Sequence, residues 1–317
     1  MTLLRFLKKW MLPIAMVTGA GIYLILHFVP SFEEAEYLGV ARWLQPTLIS
    51  IMLFLQLNAI APTDLRFHKW HFLLLSIQAL LFGSLALVAT VIPHGAGRIL
   101  VESAMLCFIC PTAAAAGVIT VRIGGHLPGV MTYTVLSDTL ACLLIPLMVP
   151  MVHPSTDITF FAAFRVLVKR VFSILLLPLV LAWTIRYTLP KLQQWLEKYM
   201  GLAFYVWAVG LTLAMSLAAS ALVSSGVGVL VALGIGVISL GCCLFQFWLG
   251  RRAARRYGRV ESLTAGQSLG QKNTGFIIWL GLSFMTPVTS VAGGLYAIWH
   301  NLVNTWELNR AEASKAR

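Results

Sequence analysis

Long apolar runs alternate with short polar segments along almost the whole chain. Each run is close to the length of about 20 apolar residues that an α-helix needs to cross a bilayer. The pattern therefore predicts an all-α polytopic membrane protein with ten transmembrane helices. The predicted spans are residues 11–29, 44–60, 71–92, 99–121, 128–152, 171–187, 201–223, 227–250, 263–285 and 288–303.

The composition agrees with a membrane location. Hydrophobic residues make up 59% of the 317 residues and charged residues only 11%, whereas soluble domains carry roughly 25% charged residues. All five cysteines lie within apolar runs, which favours packing over a disulfide framework. The net charge of +12 is interpreted as basic cytoplasmic loops rather than nucleic-acid binding.

The distribution of basic residues predicts the orientation. If the N-terminus is cytoplasmic, most of the 23 Lys and Arg residues fall in cytoplasmic segments, so both termini are expected to face the cytoplasm. The first run is too long for a secretory signal and no small-residue cleavage site follows it, which suits a multi-pass protein of a bacterial inner membrane. Residues 160–170 are basic although they fall on the predicted outer side. We interpret this segment as an amphipathic helix on the outer surface.

Two five-span halves, residues 1–155 (spans 1–5) and 156–317 (spans 6–10), suggest inverted repeats. Span four carries Pro111 and a run of small residues ending at Gly117, and its counterpart, span nine, carries Gly270 and Gly275. Irregular backbone at membrane depth is tolerated only where it is packed in protein or lines a cavity. We therefore predict that spans four and nine are broken and meet at one central site.

Lys272 and Asp138 are ionisable residues in the middle of predicted spans. Such groups are costly in a membrane unless paired or hydrated, and they commonly mark functional sites. We expect the two side chains to approach each other or a shared water molecule. Both a static ion pair and a proton-linked switch are compatible with the sequence.

Other polar groups do not form a catalytic set. The sequence lacks a nucleophile motif, a phosphate-binding loop and the spacing of metal-ligating histidines, so neither an enzyme activity nor a metal site is expected. Glu102 and Arg98 have the i, i+4 spacing of a surface ion pair. The basic run from Arg251 to Arg259 is interpreted as a determinant of topology that contacts anionic lipid.

Several short strings resemble the bile acid:sodium symporter family, within the bile/arsenite/riboflavin transporter superfamily, in order and spacing over most of the chain. They are the segment from Pro46 to Leu57 before Asp64, Gln78 in span three, Cys110-Pro111 in span four, Gly270 and Asn273 in span nine, and Trp299-His300-Asn301 in span ten. The resemblance implies ten helices in two inverted five-helix repeats. It also implies a panel domain of spans one, two, six and seven and a core domain in which broken spans four and nine cross.

The departures from the family pattern concern sodium. Ala116 and Gly117 stand where the family has Ser and Asn, Ser268 stands where it has a Glu shared by both sodium sites, and Lys272 stands where it has a Gln. Sodium needs several hard oxygen ligands and usually a carboxylate, so sodium binding is doubtful and no cofactor is expected. Family positions that remain are Gln78, Thr134 and Asn273.

We therefore expect a secondary active transporter of a small organic anion that works by alternating access without sodium, the Lys272 ammonium replacing the charge of the ion. Proton coupling, uniport and exchange all remain open. Alternatives are a sodium-coupled symporter with altered ion sites and a non-transporting membrane sensor. The expected substrate-binding residues are Thr112, Ala116, Gly117, Thr134, Asn273, Thr274 and Asn301, and the expected ion-coupling residues are Lys272, Asp138, Ser268 and Gln78.

Overall fold

The computed structural model describes residues 3–29, 34–58, 60–113, 115–154, 159–199, 202–224 and 226–315. Ala114, inside the predicted break of span four, and Gly201, the predicted start of span seven, lie outside the described residues. The described chain is helical almost throughout. Its α-helices are α1 (Leu3–Phe28), α2 (Glu34–Leu57), α3 (Lys69–Val91), α4 (Ala96–Ile109), α5 (Ala116–Arg122), α6 (Leu127–Val152), α7 (Phe160–Leu175), α8 (Leu177–Thr188), α9 (Pro190–Glu197), α10 (Leu202–Ser224), α11 (Val229–Ala254), α12 (Arg259–Gly270), α13 (Thr274–Phe284) and α14 (Pro287–Lys315).

Five helices in the described ranges, α2, α3, α6, α10 and α11, are long and apolar enough to cross a membrane. A sixth span results if α7 and α8, which are bent by 47° at their junction, form one element. Large apolar side chains on these helices are exposed, including Val91 at 78% and Leu230 at 85%. Such surfaces suit lipid rather than water. The chain is therefore an all-α membrane protein.

Each predicted apolar run corresponds to a helix or to a pair of short helices. The fourth and ninth runs are divided into α4 with α5 and α12 with α13, and neither piece of each pair is long enough to span a bilayer by itself. The helix interruptions predicted from Pro111 and from the glycines of the ninth run are therefore present.

The helices pack in two groups. In one group α10 packs on α1 and α2, and α2 also packs on α8. In the other, α11 packs on α12, α14 and α4, while α3 packs on α4 and α6. The two groups meet where α13 and α14 contact α10 and where α13 contacts α2. This arrangement places the two helix interruptions close to the junction between the groups.

Two glycines shape the contact between α11 and α12. One lies in the connection between the helices and the other lies within α11. Gly258 has a φ of 103°, which an L-residue with a side chain adopts only with strain, and it lets the chain reverse into α12. Gly250 of α11 faces the backbone of Ala265 in α12 so closely that a Cβ atom would lie 2.3 Å from its carbonyl oxygen. The contact fixes the position of the first half of the broken ninth run.

The helix predicted at residues 160–170 is present as the first part of α7. Leu167 and Val171 are buried against the neighbouring helices, whereas Lys169 and Arg170 are exposed. The amphipathic character inferred from the sequence therefore holds, although the helix continues to Leu175.

The Arg98–Glu102 pair is buried, which corrects the expectation of a surface pair. Arg98 Nε donates to Glu102 Oε1 at 2.8 Å, and His153 Nε2 lies 3.0 Å from the same oxygen. Glu102 is only 1% exposed. The end of α6 brings Val152 and His153 over α4 and covers the pair. The i, i+4 spacing alone does not show that another helix buries the two side chains.

Candidate functional site

The two interrupted runs meet at their breaks, at residues 110–113 and 271–273. Thr112 and Lys272 form an antiparallel β-bridge, in which Ala113 N donates to Gln271 O at 2.8 Å and Asn273 N donates to Pro111 O at 2.9 Å. Proline cannot donate a hydrogen bond and forces the preceding residue out of the helical region. Each interrupted backbone segment thus supplies hydrogen-bond partners that the other segment lacks.

Side chains from three other elements satisfy the carbonyl groups at the end of α4. A helix leaves its last carbonyls without intrahelical partners. Gln246 Nε2 donates to the carbonyl of Cys107 at 3.2 Å, Lys272 Nζ to that of Phe108 at 3.3 Å, and Gln78 Nε2 to that of Ile109 at 3.2 Å. These contacts make an interrupted helix tolerable in an apolar environment.

The end of α12 is satisfied in the same way. Tyr296 Oη donates to Gly270 O at 2.8 Å, and Thr112 Oγ1 donates to Ser268 O at 2.7 Å. Thr112 is therefore a structural link between the breaks, as well as a residue that the sequence placed in the substrate site.

Lys272 is completely buried. Its ammonium group donates to Phe108 O and lies within electrostatic range of the thiols of Cys107, Cys110 and Cys242. The carbonyl end of a helix carries partial negative charge, so a cation there is favourable. In its protonated form Lys272 would consequently place a positive charge at the end of α4, where the two breaks meet.

Asp138 does not pair directly with Lys272. Both are buried, but no ion pair joins them among the described side chains, because the lysine extends to Phe108. One oxygen of Asp138, Oδ1, makes no hydrogen bond with any described group. Cys110 lies within electrostatic range of both residues. The direct ion pair is thus not formed, and a shared water molecule stays a prediction.

Several buried polar atoms next to the crossing bond to no group in the described residues. Within the described residues, Ser268 Oγ and both ends of the Gln271 side-chain amide are buried without a hydrogen-bond partner. Ser268 Oγ, Gln271 Oε1 and Asp138 Oδ1 are the oxygen atoms from which a cation or water site could be assembled. Position 268 itself carries a hydroxyl group rather than a carboxylate.

A small cleft lies beside the second break, between the start of α13 and helices α2 and α10. Its volume of about 20 Å³ is enough for one water molecule. Asn273 Nδ2 and Gln45 Oε1 are buried in this region and bond to no described residue, while Gln45 Nε2 donates to Gly275 O at 2.6 Å. The cleft is lined by Gln45, Leu48, Ile49, Met52, Val206, Trp207, Gly210, Leu211, Asn273, Thr274 and Gly275.

The predicted substrate residues do not all converge on this cleft. Only Asn273 and Thr274 line it. Ala116 is buried in the helix core, Gly117 packs against α6 near Met131, and Thr134 Oγ1 donates to a carbonyl of its own helix. Asn301 likewise donates to the carbonyl four residues earlier in α14. Their proposed roles in substrate binding therefore stay predictions.

Four important polar residues were missed at the level of sequence. Ser137 Oγ lies 3.2 Å from Thr112 N, and Gln45, Gln246 and Tyr296 make the contacts described above. Gln246 and Tyr296 are single polar side chains in apolar runs, whereas Ser137 precedes Asp138 and Thr139. A search for isolated polar residues would have found Gln246 and Tyr296, but the bonds they make depend on neighbouring helices.

Comparison with known proteins assigns no relative. No protein-family model matches the chain, and no curated protein matches it.

Proposed function

We propose that the protein is a secondary active transporter of a small organic anion that works by alternating access without sodium. The observation that carries this proposal is the antiparallel crossing of two broken helices with the Lys272 ammonium at the junction. Broken helices that meet at membrane depth are typical of transporter binding sites. On this proposal ten spans form two inverted repeats, as the resemblance implies.

The packing of the helices supports a two-part mechanism. We assign the group containing α1, α2, α8 and α10 to the implied panel, and the group containing α3, α4, α6, α11, α12 and α14 to the implied core. The cleft lies between α13 and two helices of the first group. Movement of the core against the panel would widen this cleft on one side and then on the other.

The start of α13 offers chemistry for an anion. Helix N-termini carry partial positive charge and unpaired N–H groups. Asn273 Oδ1 accepts a hydrogen bond from Phe276 N at 3.2 Å, which leaves the amide nitrogen of Asn273 as a donor on the cleft side. Substrate would bind there, with Thr274 beside it and the apolar residues of α2 and α10 around its carbon skeleton.

Lys272 supplies the positive charge that sodium would otherwise bring. A sodium ion must enter and leave with substrate, whereas the amine of Lys272 belongs to the chain itself. Sodium therefore has no charge to contribute at this position. Lys272 and buried Asp138 are the proposed proton-coupling groups. If the amine of Lys272 keeps its proton throughout, the protein would be a uniporter or an exchanger.

We propose that the protein resides in a bacterial inner membrane with both termini in the cytoplasm, as the distribution of basic residues predicts. The small organic anion and the bilayer are the proposed partners. Nucleic-acid binding, enzyme activity and a cofactor form no part of the proposed function.

The test is thermal stabilisation of the purified protein in sodium or choline buffers with a panel of organic anions, for wild type, Lys272→Gln and the control Lys169→Gln. We expect an anion-dependent shift that is equal in sodium and choline, is lost in Lys272→Gln and is retained in the control, because Lys169 is exposed. A shift specific to sodium would instead identify a symporter with altered ion sites.

Transport is then measured with the stabilising anion in proteoliposomes. We expect saturable uptake that does not require a sodium gradient. Saturable binding without uptake would contradict the transporter proposal and favour a membrane sensor.

A further inference from the structure

We propose that His68, His126 and Glu261 form a binding site for a divalent transition metal, with zinc as the preferred ion. One ring nitrogen of each histidine and one carboxylate oxygen all lie within 4.8 Å of one another. Two imidazoles and a carboxylate match the ligand preference of zinc, which takes four ligands and accepts water as the fourth. The proposal is independent of the transport function.

The three ligands come from three separate segments of the chain. His68 immediately precedes α3, His126 immediately precedes α6, and Glu261 lies in the first turn of α12. Their separations in sequence exceed those of short metal-binding motifs. The expectation from the sequence that the chain has no metal site followed from this lack of local spacing.

The histidine nitrogen atoms proposed as ligands are not used in hydrogen bonds within the described part of the chain. His68 Nε2 and His126 Nδ1 are buried and make no hydrogen bond with a described group. His126 Nδ1 lies 3.8 Å from Glu261 Oε1, which is too long for a hydrogen bond. Such a separation leaves both atoms available to bind one ion.

The surroundings hold the ligands in place. Trp70 Nε1 donates to the second oxygen of Glu261, Oε2, at 2.9 Å, and His126 N donates to Thr264 Oγ1 at 2.8 Å. Groups that orient ligands in this way are characteristic of metal sites. Zinc bonds of about 2.0–2.2 Å place tetrahedral ligand atoms roughly 3.3 Å apart, so distances between ligand atoms that now reach 4.8 Å need to shorten by up to about 1.5 Å when the ion binds.

A metal here would join the starts of α3, α6 and α12. These helices pack on one another, and α12 is the first half of the broken run that leads to Lys272. The ion would fix one end of α12 while the backbone crossing fixes the other. Its role would thus be structural, since all three protein ligands belong to helix starts and the cluster lies apart from the cleft.

The test uses full-length protein in detergent after removal of any polyhistidine tag. Zinc binding is measured by titration calorimetry, and cobalt serves as a spectroscopic probe because tetrahedral cobalt absorbs strongly in the visible range. We expect one metal per chain. His68→Ala and Glu261→Gln should weaken binding by at least about tenfold, whereas His94→Ala should not, because exposed His94 lies beyond the far end of α3.

X-ray absorption of the zinc-loaded wild type provides a second measurement that does not require a folded variant. Two imidazole ligands are expected. Glu261→Gln retains an oxygen that can accept from Trp70, so its elution profile and unfolding temperature without metal should match those of wild type. Absence of binding in wild type, an imidazole count other than two, or undiminished affinity in both ligand variants would overturn the proposal.

Discussion

Substitution of Gly250 by alanine tests the close packing of α11 on α12. A Cβ atom at this position would lie 2.3 Å from Ala265 O and 2.9 Å from Gly266 Cα. Because these are backbone atoms, no rotamer change relieves the contact, and the helices must separate. Overpacking in a well-packed core costs about 1–3 kcal/mol, and the backbone clash places this site at the upper end of that range.

Helix propensity offsets part of this cost. Alanine is favoured over glycine by about 1 kcal/mol in a helix, so the expected net loss for Gly250→Ala is about 2 kcal/mol. Gly241 in the same helix is a matched control, because a Cβ atom there meets nothing within 4 Å. Gly241→Ala should therefore leave stability unchanged or raise it by up to about 1 kcal/mol.

Thermal unfolding monitored with a thiol-reactive fluorescent dye is a suitable assay. Cys107, Cys110, Cys242 and Cys243 are buried, so the dye reacts with them when the helices separate. At about 2–4 °C per kcal/mol, Gly250→Ala should unfold roughly 4 °C or more below wild type, and Gly241→Ala at or slightly above it. Equal unfolding temperatures for the two variants would refute the proposed α11–α12 contact.

Three further substitutions test the buried polar groups in the same assay. Tyr296→Phe removes the donor to Gly270 O and should cost about 1–3 kcal/mol, because the carbonyl is left buried without its partner; an unchanged midpoint would contradict this bond. Glu102→Gln should cost about 3 kcal/mol, because Arg98 loses its buried charge partner; a loss below about 1 kcal/mol would indicate a solvated pair. Asp138→Asn should leave the midpoint unchanged or raise it, because Oδ1 bonds to no group in the described part of the chain; a lower midpoint would show that the carboxylate stabilises the fold.

The breaks in the fourth and ninth runs were predictable from local chemistry. Pro111 lacks an N–H group and excludes helix at the residue before it, and the glycines around Lys272 weaken a helix. The particular hydrogen bonds at the crossing were not predictable. That Lys272 reaches Phe108 O rather than Asp138 depends on the angle at which two segments from opposite halves of the chain meet.

The proposed substrate residues show the same limit. Asn273 and Thr274 reach the cleft, whereas Asn301 bonds to its own helix. A polar residue in an apolar run signals that it needs a partner, but the sequence does not tell whether that partner is its own backbone, a neighbouring helix or a ligand. The metal cluster was missed for the related reason that its ligands are adjacent only in space.

The order of residues was enough to predict a helical membrane protein and the positions at which two of its helices break. Apolar run length is set by bilayer thickness, and the breaks are set by the backbone chemistry of proline and glycine, which are both local properties. The folded chain was needed to see how the two breaks form one crossing, with Lys272 capping α4. It was also needed to see that His68, His126 and Glu261 converge. Those features depend on contacts between helix ends far apart in the chain, and packing geometry alone brings them together.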